Sequence, residues 1–254
     1  MNFEDFEEVV WGWVQESGAL IMEYFSETGL GVDRKEDGTP VTIADRDVEI
    51  LLRKKINSNF PEHGILGEEF GSEKEDAEWL WMIDPIDGTK SFISGVPLFG
   101  TVLCLCHNGI PAFGAIHMPA LNEWLVGNGK KTLCNGRQVS CRLPKSISEA
   151  TLLTSDEADV RMHQNYNNWL ALSKRVNFCR TWGDCYGYFL VATGKADIMA
   201  DPIVSPWDVF GAIPILDGAG AKVSTWNGEN VRNGNSAVAA HPELHNEVLL
   251  YLNQ

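Results

Sequence analysis

The run Asp84-Pro85-Ile86-Asp87-Gly88-Thr89 constrains this chain more than any other segment, because it sets two carboxylates three residues apart and closes on a turn glycine. The stretch Trp79-Leu80-Trp81-Met82-Ile83 before it reads as a short buried strand, so Asp84 is expected to emerge at a strand end, where loops carry chemistry. Pro85 stiffens the exit, and Gly88 permits the backbone conformation and close approach that a phosphate-sized ligand needs. Carboxylates at this spacing can hold two metal ions. The competing reading is an Asp-Gly turn whose acids are merely solvated.

Two further acidic elements weigh against that bland reading. Gly67-Glu68-Glu69 follows the apolar pair Ile65-Leu66, and Pro206-Trp207-Asp208 lies far downstream. Together they offer Glu68, Asp84, Asp87 and Asp208, with the Ile86 carbonyl between the two aspartates. Such an all-oxygen set favours Mg²⁺ or a similar hard ion over Zn²⁺, which recruits His or Cys. No His or Cys sits in these motifs. His63 and His117 have no matching ligands nearby in sequence and read as ordinary histidines.

With 254 residues the chain can bury a large core, and one compact unit is expected. Its net charge of -15 argues against nucleic acid or an anionic membrane as the main partner. A phosphate ester remains compatible, provided metal ions invert the local field. The start Met1-Asn2-Phe3-Glu4-Asp5 lacks a basic region and apolar core, and no apolar run reaches the roughly 20 residues of a membrane span, so a cytoplasmic protein is expected. Six cysteines without a Cys-x-x-Cys pair read as mostly reduced, half-buried thiols rather than a disulfide or zinc framework.

Apolar side chains recur at helical spacing over residues 4–26. A polar loop from Gly29 to Pro40 follows, and Thr42 is placed to cap a helix running to about Phe60, with Asp45 and Glu49 sharing one face. Thr101 to Cys106, Pro111 to Met118 and Asn122 to Val126 read as antiparallel strands turning at Asn108-Gly109 and Pro119-Ala120. Beyond Ser146 short strands alternate with helices at Tyr186 to Thr193, Val209 to Leu216 and His241 to Leu252. A boundary near residues 142–147 separates subdomains only.

Taken in order, Lys35, the loop Gly38-Thr39-Pro40-Val41-Thr42 leading to Asp45, Gly67-Glu68-Glu69, Asp84 to Thr89, and Trp207-Asp208 resemble the inositol monophosphatase-like superfamily of Mg²⁺-dependent, often Li⁺-sensitive phosphatases. The resemblance spans nearly the whole chain. It implies an α/β fold, a layered α/β/α/β/α sandwich, with an N-terminal α+β subdomain (1–145) and a C-terminal α/β subdomain (146–254) completing the site. It makes Glu68, Asp84 and the Ile86 carbonyl ligands of one Mg²⁺, and Asp84, Asp87 and Asp208 ligands of a second, with Glu68 able to reach a third. Thr89 and Glu68 would orient the attacking water, and the amides of Gly88 and Thr89 would hold phosphate oxygens. Asp45 would lie close to the metals and Lys35 near the loop over them. Relatives of this kind are often homodimers.

Within the superfamily, the segments Lys90 to Thr101 and Arg180 to Tyr188 resemble the histidinol-phosphate phosphatase branch. Histidinol phosphate carries an ammonium and an imidazole, and Asp184 or Asp201 could pair with either cation. Rival readings stand beside these roles: a solvated Lys35, a first-turn helix acid at Asp45, an N-cap at Asp208 and a turn acid at Asp184. An inositol monophosphatase, a broad sugar-phosphate phosphatase and a non-catalytic binding protein are the alternatives at the level of function.

Overall fold

The computed structural model describes residues 1–26, 32–34, 40–143 and 146–254. Their backbone forms two principal sheets. The larger has eight strands in the spatial order Arg137–Gln138, Thr132–Cys134, Glu123–Gly127, Ile110–Met118, Gly100–His107, Trp79–Asp87, Gly64–Gly67 and Gly71–Glu73. All its pairings are antiparallel except that Gly64–Gly67 runs parallel to Trp79–Asp87. The smaller has five, ordered Phe178–Arg180, Thr151–Leu153, Ile198–Asp201, Ala237–Ala240 and Lys222–Ser224. It is parallel across the first three and antiparallel beyond.

Several strands read as continuous apolar runs because both faces of each sheet are covered. Along Trp79–Asp87, Leu80 and Met82 enter a central core while Trp81 and Ile83 enter an outer one. In the smaller sheet Leu153, Met199 and Ala239 share that central core, whereas Leu152, Ile198 and Val238 face a third. This period-two division fixes five layers. Helices Phe3–Ser26 and Ile43–Asn59 cover the larger sheet, Asp184–Ala192 and Ala212–Gly218 fill the middle, and Tyr166–Ser173 with Pro242–Leu252 cover the smaller sheet. The fold is the expected α/β/α/β/α sandwich.

Most expected elements are present, with instructive shifts. Thr42 caps Ile43–Asn59 in a capping box with Asp45. Asn108 and Gly109 both have positive φ, as a two-residue hairpin turn requires. Part of the expected Gly29–Pro40 loop is instead ladder, since Val32–Arg34 pairs antiparallel with Pro40–Thr42. The apolar stretch Val209 to Leu216 splits into helices Pro206–Val209 and Ala212–Gly218, broken where the Gly211 backbone packs onto Val102 and Leu103. All six cysteines are free, but Cys104, Cys106 and Cys185 are fully buried rather than half-buried. Among the described residues, no helix is long and apolar enough to cross a membrane.

Candidate active site

In an unbroken strand, residues three apart point to opposite faces. Asp84 lies opposite Val102 and Asp87 opposite Gly100, so three steps on one strand match two on its neighbour. This β-bulge at Pro85-Ile86 turns both carboxylates to the same side, and the Pro85 carbonyl accepts a bond from Thr101 Oγ1 at 2.9 Å. The strand therefore runs on to Asp87, not only to Ile83, and the turn begins at Gly88. Gly67 sits beside Ile83 in the parallel pair, and the Glu68 N–H donates to the Ile83 carbonyl at 3.1 Å. Glu68 and Asp84 thus leave adjacent strands side by side.

Asp208 joins them from the middle layer, at the third position of Pro206–Val209, where its Oδ2 accepts from the Ser205 N–H at 2.7 Å. Ser205, not Asp208, is the N-cap. Asp87 is tied to that layer too, since its Oδ2 accepts from the Cys185 N–H at 2.5 Å.

Thr89 Oγ1 lies 3.0 Å from the Ile86 carbonyl and 3.4 Å from Asp45 Oδ1. The other Asp45 oxygen accepts from the Thr42 N–H and hydroxyl at 2.8 and 2.6 Å. Asp45 is therefore both a first-turn helix acid and a neighbour of Thr89. Burial raises its pKa to about 6 against the Thr42 bonds. Gly88 has φ 91°, and a Cβ there would meet the Leu98 carbonyl at 2.8 Å and Asp184 Oδ2 at 3.3 Å.

Glu68, Asp84, Ile86, Asp87, Gly88, Thr89, Asp184, Asp201 and Asp208 all line one cleft of about 280 Å³. Asp184 opens the helix Asp184–Ala192 in a left-handed conformation, φ 54°, and burial lifts its pKa to about 6 while Lys90 pulls it down. The Asp201 oxygens accept from Ser155 Oγ and from Tyr188 OH, the latter at 3.1 Å. Burial and then the Asp184 charge raise Asp201 to about 7. Lys90, the only base among the described lining residues, bridges Asp156 and Asp159 at 3.1 and 3.7 Å. Lys35 lies outside the described residues.

Burial first, and then neighbouring carboxylates, push Asp84 and Asp87 well above the usual acid range, and burial takes Asp208 to about 7. The donors fit a hard cation: all are oxygens, and Asp84 Oδ1 is buried with no hydrogen-bond partner. Among the described residues, no three or more acidic, His or Cys side chains already converge into a metal cluster.

His63 Nδ1 accepts from Trp81 Nε1 at 3.1 Å and His117 is buried with its Nδ1 unpartnered; neither is among the described residues that line the cleft. Sequence reasoning missed Glu49, whose buried carboxylate holds the turn carrying Glu68. Its only signal was the face it shares with Asp45.

The model of the inositol monophosphatase family, whose members are generally Mg²⁺-dependent, matches residues 2–254. A histidinol-phosphatase of Chlorobaculum parvum is 37% identical over 229 residues, 89% of this chain and 88% of that one. One from Mycobacterium tuberculosis is 34% identical, covering 90% of each. Among solved structures, an inositol monophosphatase from Zymomonas mobilis superposes with a TM-score of 0.88 at 29% identity, over 100% of both chains. The family match spans residues 2–254, and the chain belongs to the inositol monophosphatase family of phosphatases.

Proposed function

We propose that this protein is a Mg²⁺-dependent phosphomonoesterase that hydrolyses histidinol phosphate to histidinol and phosphate, binds two or three ions, and works as a homodimer. The observation that carries the chemistry is the bulged Asp84 and Asp87 pair sharing a cleft with Glu68 and Asp208. Asp184, set against Gly88 where the phosphate would lie, favours a substrate with a cationic group, and two relatives bear the matching name.

In this reading Glu68, Asp84 and the Ile86 carbonyl hold one ion, and Asp84, Asp87 and Asp208 hold another. Bound Mg²⁺ supplies Lewis-acid polarisation of the phosphoryl group and an attacking water of lowered pKa. Thr89 Oγ1 donates a hydrogen bond to the Ile86 carbonyl or Asp45, so its lone pair would be free to accept a hydrogen bond from an attacking water. Glu68 orients the water from the other side. The Gly88 and Thr89 amides hold phosphate oxygens, and Asp184 faces the esterified group. The same reading keeps residues 1–145 and 146–254 as subdomains, each owning one of the two principal sheets.

An inositol monophosphatase or sugar-phosphate phosphatase is the second reading. It is favoured by Asp201, whose oxygens already accept from Ser155 and Tyr188 rather than awaiting a substrate cation. The intact donor set counts against a purely non-catalytic binding protein.

Phosphate release from histidinol phosphate, inositol 1-phosphate and a nucleotide 3′-phosphate, with Mg²⁺ and with chelator, tests the proposal. We expect kcat/KM to favour histidinol phosphate by roughly tenfold or more. Equal or better turnover of inositol 1-phosphate selects the second reading. Chelator-resistant hydrolysis overturns the metal assignment, and Li⁺ should inhibit at limiting Mg²⁺.

A further inference from the structure

The hairpin that carries Glu68 is short and exposed on one side. Gly64–Gly67 and Gly71–Glu73 pair with Gly67 opposite Gly71, leaving Glu68, Glu69 and Phe70 as its tip. A tip of this kind aims backbone N–H groups inward, and each buried one needs an acceptor.

Glu49 supplies it from the helix beneath. Its side chain is fully buried, with Oε2 accepting from the Glu69 N–H at 2.7 Å and Oε1 from the Phe70 N–H at 3.2 Å. Arg53, one turn further along, donates from Nε to Glu49 Oε1 at 2.7 Å. It also reaches the far strand of the hairpin, through Nη1 to Glu73 Oε1 at 2.9 Å and through Nη2 to the Gly71 carbonyl. The fit depends on Gly67, because a Cβ there would fall 2.0 Å from Glu49 Oε1. One turn before Glu49, the same helix presents Asp45 to Thr89. A single rigid helix face at i, i+4 and i+8 thus refers both the Asp84–Thr89 motif and the Glu68 turn to one frame.

We propose that Glu49 is a positioning residue for the metal site: by holding the Glu69 and Phe70 amides it sets where the Glu68 carboxylate stands relative to Asp84. The proposal rests on the reading of Glu68 as a metal ligand. Groups that orient ligands from behind commonly govern metal affinity by 10- to 100-fold. Glu49→Gln keeps the shape but loses an acceptor, so it cannot serve both amides and the Arg53 guanidinium at once.

The test is Mn²⁺ binding to the intact protein, followed by the electron paramagnetic resonance of the free ion, in wild type, Glu49→Gln, Gly67→Ala and Glu68→Gln. Circular dichroism confirms that each variant is folded at the assay temperature. We expect Glu49→Gln to weaken Mn²⁺ binding roughly 10- to 100-fold, with KM for substrate near wild type at saturating metal. Gly67→Ala, which pushes on Glu49 with its charge intact, should act in the same direction and carries the test if Glu49→Gln unfolds. Wild-type affinity in the folded Glu49 or Gly67 variant, beside weakened binding in Glu68→Gln, overturns the positioning role alone. Unchanged affinity in Glu68→Gln overturns the ligand reading, and the positioning role with it.

Discussion

The backbone N–H of Cys185 donates to Asp87 Oδ2 at 2.5 Å, so a carboxylate carried by the larger sheet is oriented by the first turn of a helix in the middle layer. That bond occupies one Asp87 oxygen and leaves the other to face the cleft. Asp87→Asn can keep the Cys185 bond while removing the charge. Turnover at moderate Mg²⁺ should fall by about a hundredfold, the equivalent of about 3 kcal/mol of transition-state stabilisation. A steady-state assay across a Mg²⁺ titration checks this, and wild-type turnover in the variant would remove Asp87 from the metal site.

In the proposed reading, specificity rests on Asp184. If its carboxylate pairs with a substrate cation, Asp184→Asn should weaken kcat/KM for histidinol phosphate by about 1.5 to 3 kcal/mol, the range for a hydrogen bond to a charged group. Asn also tolerates the left-handed backbone found here, so the fold should survive. Esters without a cation should change much less. Equal losses for both kinds of substrate would mean that Asp184 supports the fold or the metals instead.

Gly88→Ala combines strain with collision, because φ is 91° and the new Cβ would meet the Leu98 carbonyl at 2.8 Å. We expect a stability loss of about 1 to 3 kcal/mol in denaturant melts, together with impaired turnover. A fully stable, fully active variant would show that the turn relaxes freely.

The metal-free protein should be more stable in mild acid than in mild base. Asp201 titrates near 7 in the fold, pushed up chiefly by burial, against about 3.9 in an unfolded chain. The folded state then binds more protons between those values. The corresponding stability is fully present below the unfolded pKa and is lost as pH rises through about 7. Asp184, raised to about 6 by burial, acts in the same direction. Chelated protein melted at about pH 5 and about pH 8 should show the drop, and Asp201→Asn should flatten it. An unchanged slope in that variant would remove Asp201 from the account.

The composition of the site was legible because its donors lie in short motifs, and the layered fold was legible through the same resemblance. The geometry was less so. Spacing alone places Asp84 and Asp87 on opposite strand faces, and only pairing with Gly100–His107 introduces the bulge that reunites them. Asp208 looked like an N-cap because it follows Trp207 and precedes an apolar run, yet Ser205 three residues earlier had the better position. Glu49 stayed hidden for a different reason: its partners are main-chain amides twenty and twenty-one residues away, and no side-chain pattern announces a backbone contact.

The central core mixes Leu80 and Val102 with Tyr188, Met199 and Ala239, and the cleft beside it is closed by Asp184 and Asp208. During synthesis, then, a ribosome that has delivered Asp84 and Asp87 has made acids without their surroundings. The Cys185 amide that orients one of them follows 98 residues later, and Asp208 later still. Activity should consequently arrive late and in one step on the nascent chain, once the second sheet has docked, rather than growing with its length.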